Sequence, residues 1–368
     1  MLVDDFKLEN WINEREKFAR YDLSNTCVEA LTINELERLC DCSIDLKNIK
    51  LNYGQLFGSD GLKSAICNLF ENQNPENVTV TLGGIGANNL VLQTLINKDD
   101  KVVCVLPCYQ QAYSLPKFFG ANVEFFFLNQ NDWSIDKERF ANMVGTDTKV
   151  ICLTNPNNPT GKVLSDEDFK FIIQVARNSD AYIFADEVYR GLNHNGEAYS
   201  KSFVDVYEKS VVTGSMSKAY SLAGIRLGWV VASQSVIKDI NLNREYNTIS
   251  ISALDDFVAT VALNNHEKLI QRNLKIIKQG KQIVNDFINS EEKFFWIEPN
   301  SATVGCINYE FDLKSKEFCN KLFEDTKLLV IPAFVFEQEN YFRIGYAMNS
   351  DYLQQALNSL SDWSRKIY

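Results

Sequence analysis

Short apolar runs along the chain alternate with longer stretches in which apolar residues recur at helical spacing. Runs typical of buried strands lie at 102–106 and 150–153, and each is followed by a helical stretch before the next strand. Strands that alternate with helices in this way predict a parallel, doubly wound α/β sheet. Because ligands bind beyond the carboxyl ends of such strands, the residues that follow each run are the first candidates for a site.

The pattern changes after about residue 241. A long helical stretch covers 251–289, and short strands with intervening helices follow it, which predicts a second, smaller α/β domain. At 368 residues the chain is long for a single core, so more than one domain is expected. The predicted units are an N-terminal arm and lid, a large domain and a small C-terminal domain, over residues 1–35, 36–250 and 251–368.

Composition and charge exclude several classes of protein. The formal net charge of −11 leaves no excess of lysine and arginine to neutralise a nucleic acid, and no apolar run is long enough to predict a membrane span. The start of the chain lacks the features of a secretory leader, and the nine cysteines are scattered without a C-x-x-C pair. Free thiols in a reducing cytoplasm are therefore expected, and no metal site is predicted because the chain has only two histidines.

The most informative stretch, residues 214–228, follows a predicted strand and surrounds Lys218 with small and hydroxyl-bearing residues. Burial in such a loop is expected to lower the pKa of Lys218, and a neutral amine can form a Schiff base with an aldehyde. Ser215, Ser217 and Arg226 supply donors that suit a phosphate dianion. Taken alone, the lysine and its two serines could be a surface lysine in a serine loop. The wider pattern predicts a site for pyridoxal 5′-phosphate (PLP).

Other strand ends add groups that such a cofactor needs. The turn at 83–86 leads from a strand into a helix, so its backbone N–H groups could hold a phosphate, although a purely structural turn fits as well. Asp186 follows the strand at 182–185 and offers an acid for the ring nitrogen, unless it only caps the strand end. Two prolines within 155–161 predict a rigid turn that orients Asn155.

In these motifs, and over nearly its whole length, the sequence resembles the class I/II aminotransferases, a family of fold-type-I PLP enzymes. Five motifs occur in the family's order: Tyr53-Gly54, Gly83-Gly84, 155–161, Asp186 with Tyr189, and Ser215 to Lys218 with Arg226. The resemblance implies a large domain with a mostly parallel, doubly wound sheet and a smaller C-terminal α/β domain. It also implies a homodimer with shared active sites and a small-molecule substrate, an amino acid.

The same resemblance implies a role for each matching residue. Lys218 forms the Schiff base with PLP and later moves protons, while Asp186 pairs with the ring nitrogen. The other implied cofactor-binding residues are Asn155 and Tyr189 at the ring oxygen, Tyr109 on the ring face, Gly84, Ile85, Ser215, Ser217 and Arg226 at the phosphate, and Tyr53 from the neighbouring subunit. Arg343 and Asn155 would bind the substrate, with Arg343 on its α-carboxylate. A core tyrosine at 109 and a surface arginine at 343 are the simpler alternatives.

The N-terminal segment departs from the ordinary family pattern. Residues 22–28 have neither the glycine nor the proline of the usual lid. Together with 8–11 and 32–36, they resemble the cyclases that form cyclic guanidino amino acids, such as capreomycidine synthase and the enduracididine-forming enzymes. That resemblance implies a hydroxylated arginine as substrate, whose guanidinium needs a nearby acid. Glu9 is the preferred acid, and Thr26 could bond the guanidine or the departing hydroxyl; solvated helix charges and a loop hydroxyl are the alternative.

The predicted function is a PLP-dependent enzyme that removes the Cα proton of an amino acid. The first hypothesis is a cyclase, in which hydroxyarginine loses water and its guanidine then adds to close a ring. An aminotransferase, which moves the amino group of an L-amino acid to a 2-oxo acid, is the second. The third is a PLP-binding module without catalysis, which the intact set of catalytic positions argues against.

Overall fold

A seven-stranded sheet is the central element of the computed structural model, which describes residues 3–367. Residues 1, 2 and 368, at the outer ends of the first and third predicted units, lie outside the described part. Strands β1 to β13 span Tyr21–Asp22, Val78–Leu82, Lys101–Leu106, Asn122–Phe127, Thr148–Thr154, Tyr182–Asp186, Ser210–Ser215, Leu227–Val231, Phe294–Trp296, Val304–Tyr309, Leu328–Leu329, Ile331–Pro332 and Tyr341–Gly345. The central sheet has the order β2-β8-β7-β6-β5-β3-β4, and only β8 runs against the other strands.

Both faces of this sheet are covered, as the doubly wound prediction requires. Along β3, Val103 and Val105 join one buried core, whereas Val102 and Cys104 join a second core on the opposite face. Successive side chains of a strand point to opposite faces, so a strand buried on both sides reads as one continuous apolar run. The predicted fold class, a mostly parallel α/β sheet, is confirmed.

Helices pack on these faces, and several begin where a capping side chain is available. The S/T-x-x-E pattern of residues 32–35 predicts a capping box, and Thr32 and Glu35 form it: each side chain accepts a hydrogen bond from the other residue's backbone N–H. Helices α1 to α12 span Lys7–Asn13, Ile33–Cys40, Asp60–Cys67, Gly83–Leu95, Gln111–Phe118, Lys137–Met143, Asp166–Ser179, Gln234–Glu245, Ala253–Asn264, His266–Ser290, Ser315–Thr326 and Ser350–Ser364. No helix within residues 3–367 combines the length and apolar character that a bilayer crossing demands.

A second, antiparallel sheet with the order β12-β13-β10-β9 forms towards the C-terminus. The N-terminal segment is attached to this region, because β1 pairs in parallel with β11. Further backbone hydrogen bonds join Leu23 to Leu329 and Gly345 to Leu23. The N-terminal and C-terminal parts of the chain therefore meet, while the exact domain boundaries given above stay a prediction.

Three details of the predicted elements are corrected. The apolar spacing at the start of the chain predicts a helix that reaches roughly to Asp22, but the first helix ends at Asn13, and Tyr21 and Asp22 pair with β11 instead. The single long helix expected over 251–289 is two helices, α9 and α10. They separate at Asn265, whose side chain donates to the carbonyl of Val261. Helix α8 and strand β9 are elements that the hydrophobic pattern did not predict.

Candidate active site

A cavity of about 580 Å³ opens at the carboxyl edge of the central sheet. Strands β6 and β7 deliver Asp186 and Ser215 to it as their last residues. Twelve of the sequence-predicted site residues line it, namely Glu9, Thr26, Gly84, Ile85, Tyr109, Asp186, Tyr189, Ser215, Ser217, Lys218, Arg226 and Arg343. The structure thus gathers residues from six separate parts of the chain, as expected for the edge of a parallel sheet.

Lys218 lies just beyond β7 with its amine in the cavity wall. Its Nζ donates to Thr26 Oγ1 at 2.5 Å and to Cys27 Sγ at 3.4 Å. Burial by itself lowers the pKa of the Lys218 ammonium, but the Tyr189 phenol and the Cys27 thiol outweigh it, so the pKa lies above its ordinary value. The lowered pKa expected from the sequence is therefore wrong for this arrangement, because that expectation considered burial and not these neighbours.

Asp186 is buried at the base of the cavity with both carboxylate oxygens occupied. Oδ2 accepts from Asn88 Nδ2 at 2.9 Å, and Oδ1 accepts from the Val188 backbone N–H at 3.2 Å. Burial raises the pKa of Asp186, while these two hydrogen bonds and the nearby Lys218 act in the opposite direction. A carboxylate held in this way can accept a hydrogen bond from a protonated ring nitrogen.

The phosphate-suited groups cluster where α4 begins. This helix starts at Gly83 with no capping side chain and no acidic residue in its first turn, so its positive end is open to an anion. The glycines allow the close packing that this requires: a Cβ on Gly228 would lie 2.4 Å from the backbone of Gly83. Arg226 and Ser215 adjoin this turn, since a Cβ on Gly83 would lie 2.7 Å from the Arg226 guanidinium and one on Gly84 would lie 3.2 Å from Ser215 Cβ. Ser217 lines the same cavity.

Arg343, on β13, places a guanidinium in the cavity wall with 1% of the residue exposed. Nη1 donates to Asn158 Oδ1 at 3.1 Å and Nη2 to the Ser24 carbonyl at 2.7 Å. Nε is buried without a hydrogen-bond partner, and no carboxylate of residues 3–367 forms an ion pair with this guanidinium. A buried cation of this kind is costly unless an anion arrives, so Arg343 is suited to a ligand carboxylate.

The two predicted tyrosines occupy different parts of the wall. Tyr109 donates its hydroxyl to Glu9 Oε1 at 2.8 Å, and burial together with Glu9 raises its pKa. The Tyr189 hydroxyl is buried beside Thr26 and forms no well-aligned hydrogen bond with any residue from 3 to 367. A buried, unpaired hydroxyl is unfavourable, and a ligand oxygen would satisfy it.

Asn155 does not line the cavity, which corrects its predicted role. Its Oδ1 accepts from the Leu164 backbone N–H at 3.0 Å, and its side chain faces a separate pocket. Asn158, three residues on, lines the cavity instead and bonds Arg343. The turn is tied to the residue after β3, since Asn157 Nδ2 donates to the Pro107 carbonyl at 3.0 Å. Sequence reasoning missed Asn158, although the repeat of Asn-Pro within 155–161 was a signal for it.

Residues 7–28, here called the N-terminal cover, close one side of the cavity. Helix α1 brings Glu9 into the wall, and the segment after it contributes the carboxylates of Glu16 and Asp22. The cover is fastened by Trp11 Nε1, which donates to the Val330 carbonyl, and by Thr303 Oγ1, which donates to the carbonyl of Thr26. The cover therefore contributes three carboxylates to a cavity that also contains a buried arginine.

Tyr53 lies away from the cavity of its own chain and is 75% exposed. Other exposed apolar side chains surround it in the sequence, including Leu51 and Leu56. The structure therefore does not bring Tyr53 together with the other predicted cofactor-binding residues within one chain. Its predicted action from a neighbouring subunit stays a prediction.

The residues present fit PLP. Lys218 offers the amine, Asp186 a buried carboxylate for a ring nitrogen, Tyr189 an unsatisfied hydroxyl for a ring oxygen, and the start of α4 an open site for a phosphate. These groups stand at the carboxyl edge of a doubly wound sheet that is joined to a smaller α/β region. Fold and cavity together define a fold-type-I PLP enzyme.

Comparison with known proteins agrees. Residues 20–360 match the family described as aminotransferase class I and II, and the chain belongs to this family, whose cofactor is PLP. It is similar to capreomycidine synthase of Streptomyces vinaceus, 25% identical over 360 residues, which cover 96% of this chain and 92% of that protein. A PLP-dependent aminotransferase from Streptococcus suis is 33% identical with a TM-score of 0.95, over 100% of this chain and 99% of that one. The PLP-dependent cyclase OrfR shares the fold, with a TM-score of 0.92 at 22% identity, over 100% and 99% of the two chains.

Proposed function

We propose that this enzyme cyclises a hydroxylated arginine to a cyclic guanidino amino acid. The observation that carries the proposal is the pairing, in one cavity, of a buried arginine with three carboxylates contributed by the N-terminal cover. A substrate that fits both features has a carboxylate at one end and a cation at the other. Arginine and its hydroxylated derivatives have this distribution of charge.

The carboxylate of the substrate is assigned to Arg343. Its Nε has no partner and its Nη1 contacts Asn158, so the guanidinium and the Asn158 amide form a ready surface for an anion. Asn158 takes over the substrate-binding role that the sequence assigned to Asn155. The fork of donors on arginine matches a carboxylate better than a lysine would.

The guanidinium of the substrate is assigned to the cover, with Glu9 as its principal partner. Glu9 lines the cavity while its Oε1 already accepts from Tyr109, which orients the carboxylate. Asp22 lines the same cavity and is held by the Ser24 backbone N–H at 2.8 Å. Charge-assisted hydrogen bonds from a guanidinium to such carboxylates are among the strong ones in proteins.

When bound, PLP supplies an electron-withdrawing ring that makes the Cα proton of an attached amino acid acidic. Lys218 removes that proton and returns it, Asp186 holds the ring nitrogen, and Tyr189 bonds the ring oxygen. Gly84, Ile85, Ser215, Ser217 and Arg226 bind the phosphate, and Tyr109 packs on the ring face. These roles are proposals that the shared cavity supports.

Thr26 is assigned to the departing hydroxyl of the substrate. Its Oγ1 lies 2.5 Å from Lys218 Nζ, so a proton held by the amine can reach a hydroxyl bound at this point. The C–O bond of the substrate breaks and the hydroxyl leaves with a proton as water. A guanidine nitrogen then bonds to the carbon that lost the hydroxyl and gives up one N–H proton, which replaces the proton that left with the water, so the net change is loss of one water and no oxidant is needed.

The similarity to capreomycidine synthase supports the cyclase, whereas the similarity to the Streptococcus suis aminotransferase supports transamination as the second candidate. Hydroxyarginine supplied in heavy water without a 2-oxo acid separates the two. A cyclic product with deuterium at Cα, and also at Cβ for a γ-hydroxy substrate, is expected. Release of the 2-oxo acid of the substrate without any cyclic product would contradict cyclisation, and unmodified arginine is the matched control because it has no hydroxyl to lose.

We also propose that the enzyme acts as a homodimer in the cytoplasm. The exposed Tyr53 and the neighbouring apolar side chains Leu51 and Leu56 suit a contact with a second copy, through which Tyr53 would reach the other cavity. The division into an arm and lid, a large domain and a small domain is part of the same proposal.

A further inference from the structure

We propose that Asn88 is a positioning residue that keeps Asp186 ionised and correctly turned, and so sets how firmly the cofactor ring is held. The inference rests on the PLP site described above but not on the choice between cyclisation and transamination. Asn88 lies in α4, outside every motif that the sequence singled out, and it belongs to the cavity wall.

The contacts of Asn88 link three neighbouring elements of the fold. Its Nδ2 donates to Asp186 Oδ2, at the end of β6, at 2.9 Å. Its Oδ1 accepts from Thr213 Oγ1, on β7, at 2.7 Å. An ionised carboxylate only accepts hydrogen bonds, so the amide nitrogen faces Asp186 and favours its charged form, while the Thr213 hydroxyl donates to the amide oxygen and holds this orientation.

Burial makes this contact consequential. Asn88 is 6% exposed and lies on a helix whose other buried side chains include Ala87, Leu90 and Val91. Its polar atoms therefore have little access to water and depend on hydrogen bonds within the protein. A buried amide that lost either partner would carry an unsatisfied group. The residue is therefore best explained by the two hydrogen bonds it makes, one of which ends on the proposed partner of the cofactor ring.

The other groups around Asp186 do not replace this contact. Burial raises the pKa of Asp186, and the hydrogen bonds from Asn88 and Val188 and the charge of Lys218 oppose the rise. Cys108 and Tyr109 also face Asp186, and a negative charge on Asp186 raises the pKa of each. Among these groups the Asn88 amide has the largest effect in favour of the ionised carboxylate.

The main test replaces Asn88 with leucine, which has a similar size and no amide. Asp186 then holds its own proton more readily and protonates the ring nitrogen less, so the Lys218 nitrogen keeps its proton to higher pH. The absorption spectrum of the PLP-loaded protein changes with pH as the Lys218 nitrogen loses its proton. The midpoint of this change is expected to rise by about one pH unit. The dissociation constant of PLP, measured by adding PLP to the apo-protein, is expected to rise about tenfold.

Two further variants keep the test decisive if Asn88→Leu folds poorly. Thr213→Val removes the hydroxyl that fixes the amide, so a smaller shift of the midpoint in the same direction is expected. Thr213→Ser keeps a hydroxyl and should behave as the wild type. Asn243→Leu is the matched control, because Asn243 Nδ2 donates to Thr94 Oγ1 in α4 at 2.9 Å, an amide–hydroxyl pair outside the cavity.

The outcomes separate positioning from mere support of the fold. A raised midpoint and weaker PLP binding in Asn88→Leu, with wild-type values in Asn243→Leu, support the proposal. A lower melting temperature with both the midpoint and the dissociation constant unchanged overturns it, and so does a Thr213→Val protein indistinguishable from Thr213→Ser. Failure to form cyclic product would count against the proposed reaction alone, because neither readout depends on it.

Discussion

The two sides of the cavity are built in different ways. One side, the sheet edge, consists of Asp186, Ser215 and Lys218 at the ends of strands buried on both faces. The other side is the N-terminal cover, which pairs with β11 through the two-residue strand β1, buries side chains such as Leu8 and Leu23, and is further held by hydrogen bonds such as Trp11 to Val330. The edge can hold a cofactor that a whole family shares, whereas the cover can change without disturbing the sheet.

This difference separates chemistry from selectivity. Groups proposed to act on the reacting carbon, such as Lys218, depend on strand register, which a buried parallel sheet determines strongly. Groups proposed to recognise the far end of a substrate, such as Glu9, lie on a segment that contacts β11 and β13 and is not part of the central sheet. The distinction can be tested by changing one side at a time.

The largest effect is expected at the sheet edge. Lys218→Ala removes the group that moves the Cα proton, so turnover should fall at least about 10⁴-fold for every substrate, equivalent to about 5 kcal/mol of barrier. Steady-state rates with several amino acids, together with the PLP content of the purified protein, check this. Near-normal turnover of even one amino acid would break the assignment of the edge.

A second substitution, Glu187→Gln, tests how burial of a carboxyl group beside Asp186 affects the stability of the sheet edge. Burial raises the pKa of Glu187 to about 7, although hydrogen bonds from Ser202 Oγ and the Phe203 N–H favour its charge. The folded state binds this proton more tightly than the unfolded chain does. The wild type should therefore gain about 1–3 kcal/mol of stability relative to Glu187→Gln as pH falls from about 7 to 4.5.

Denaturant unfolding of both proteins across this pH range measures the difference. Glu138→Gln, which alters an exposed carboxylate on α6, is the control and should parallel the wild type. If the difference in unfolding free energy between the wild type and Glu187→Gln stayed constant over this pH range, Glu187 would be ionised throughout it, contrary to the expectation.

The cover should show a selective effect of intermediate size. Glu9→Gln weakens one charge-assisted contact, so kcat/KM for guanidino substrates should fall about tenfold, while amino acids without a guanidinium change less than about twofold. Competition between the two kinds of substrate measures this directly. Glu14→Gln, at an exposed position beside α1, is the matched control. An equal loss for all amino acids would show that Glu9 supports the fold of the cover instead.

The smallest effect is expected from Tyr53, which belongs to neither side of its own cavity. If a second copy supplies its hydroxyl, Tyr53→Phe should raise the dissociation constant of PLP about fivefold and leave the dimer intact. Sedimentation and PLP titration measure the two quantities. A monomeric wild type would contradict the role of Tyr53 across an interface.

Much of the fold can be predicted from the sequence because its signals are local. The sequence pattern predicts a helix over about 166–179 and a strand over 341–345, and helix α7 spans Asp166–Ser179 and strand β13 spans Tyr341–Gly345, since periodicity and flanking polar residues depend on near neighbours. The capping box at Thr32 is equally local. That Asp186 and Lys218 meet also follows from the sequence, because the ends of parallel strands share one edge.

Other features were decided only by the tertiary structure. The choice of Asn158 over Asn155 depends on how the turn packs against β13, and the position of Asn88 depends on the contact of α4 with two strands. The raised pKa of Lys218 comes from Tyr189 and Cys27, which are distant in sequence or carried by the cover. Such contacts join residues far apart along the chain, and their geometry is settled by packing and burial rather than by any local pattern.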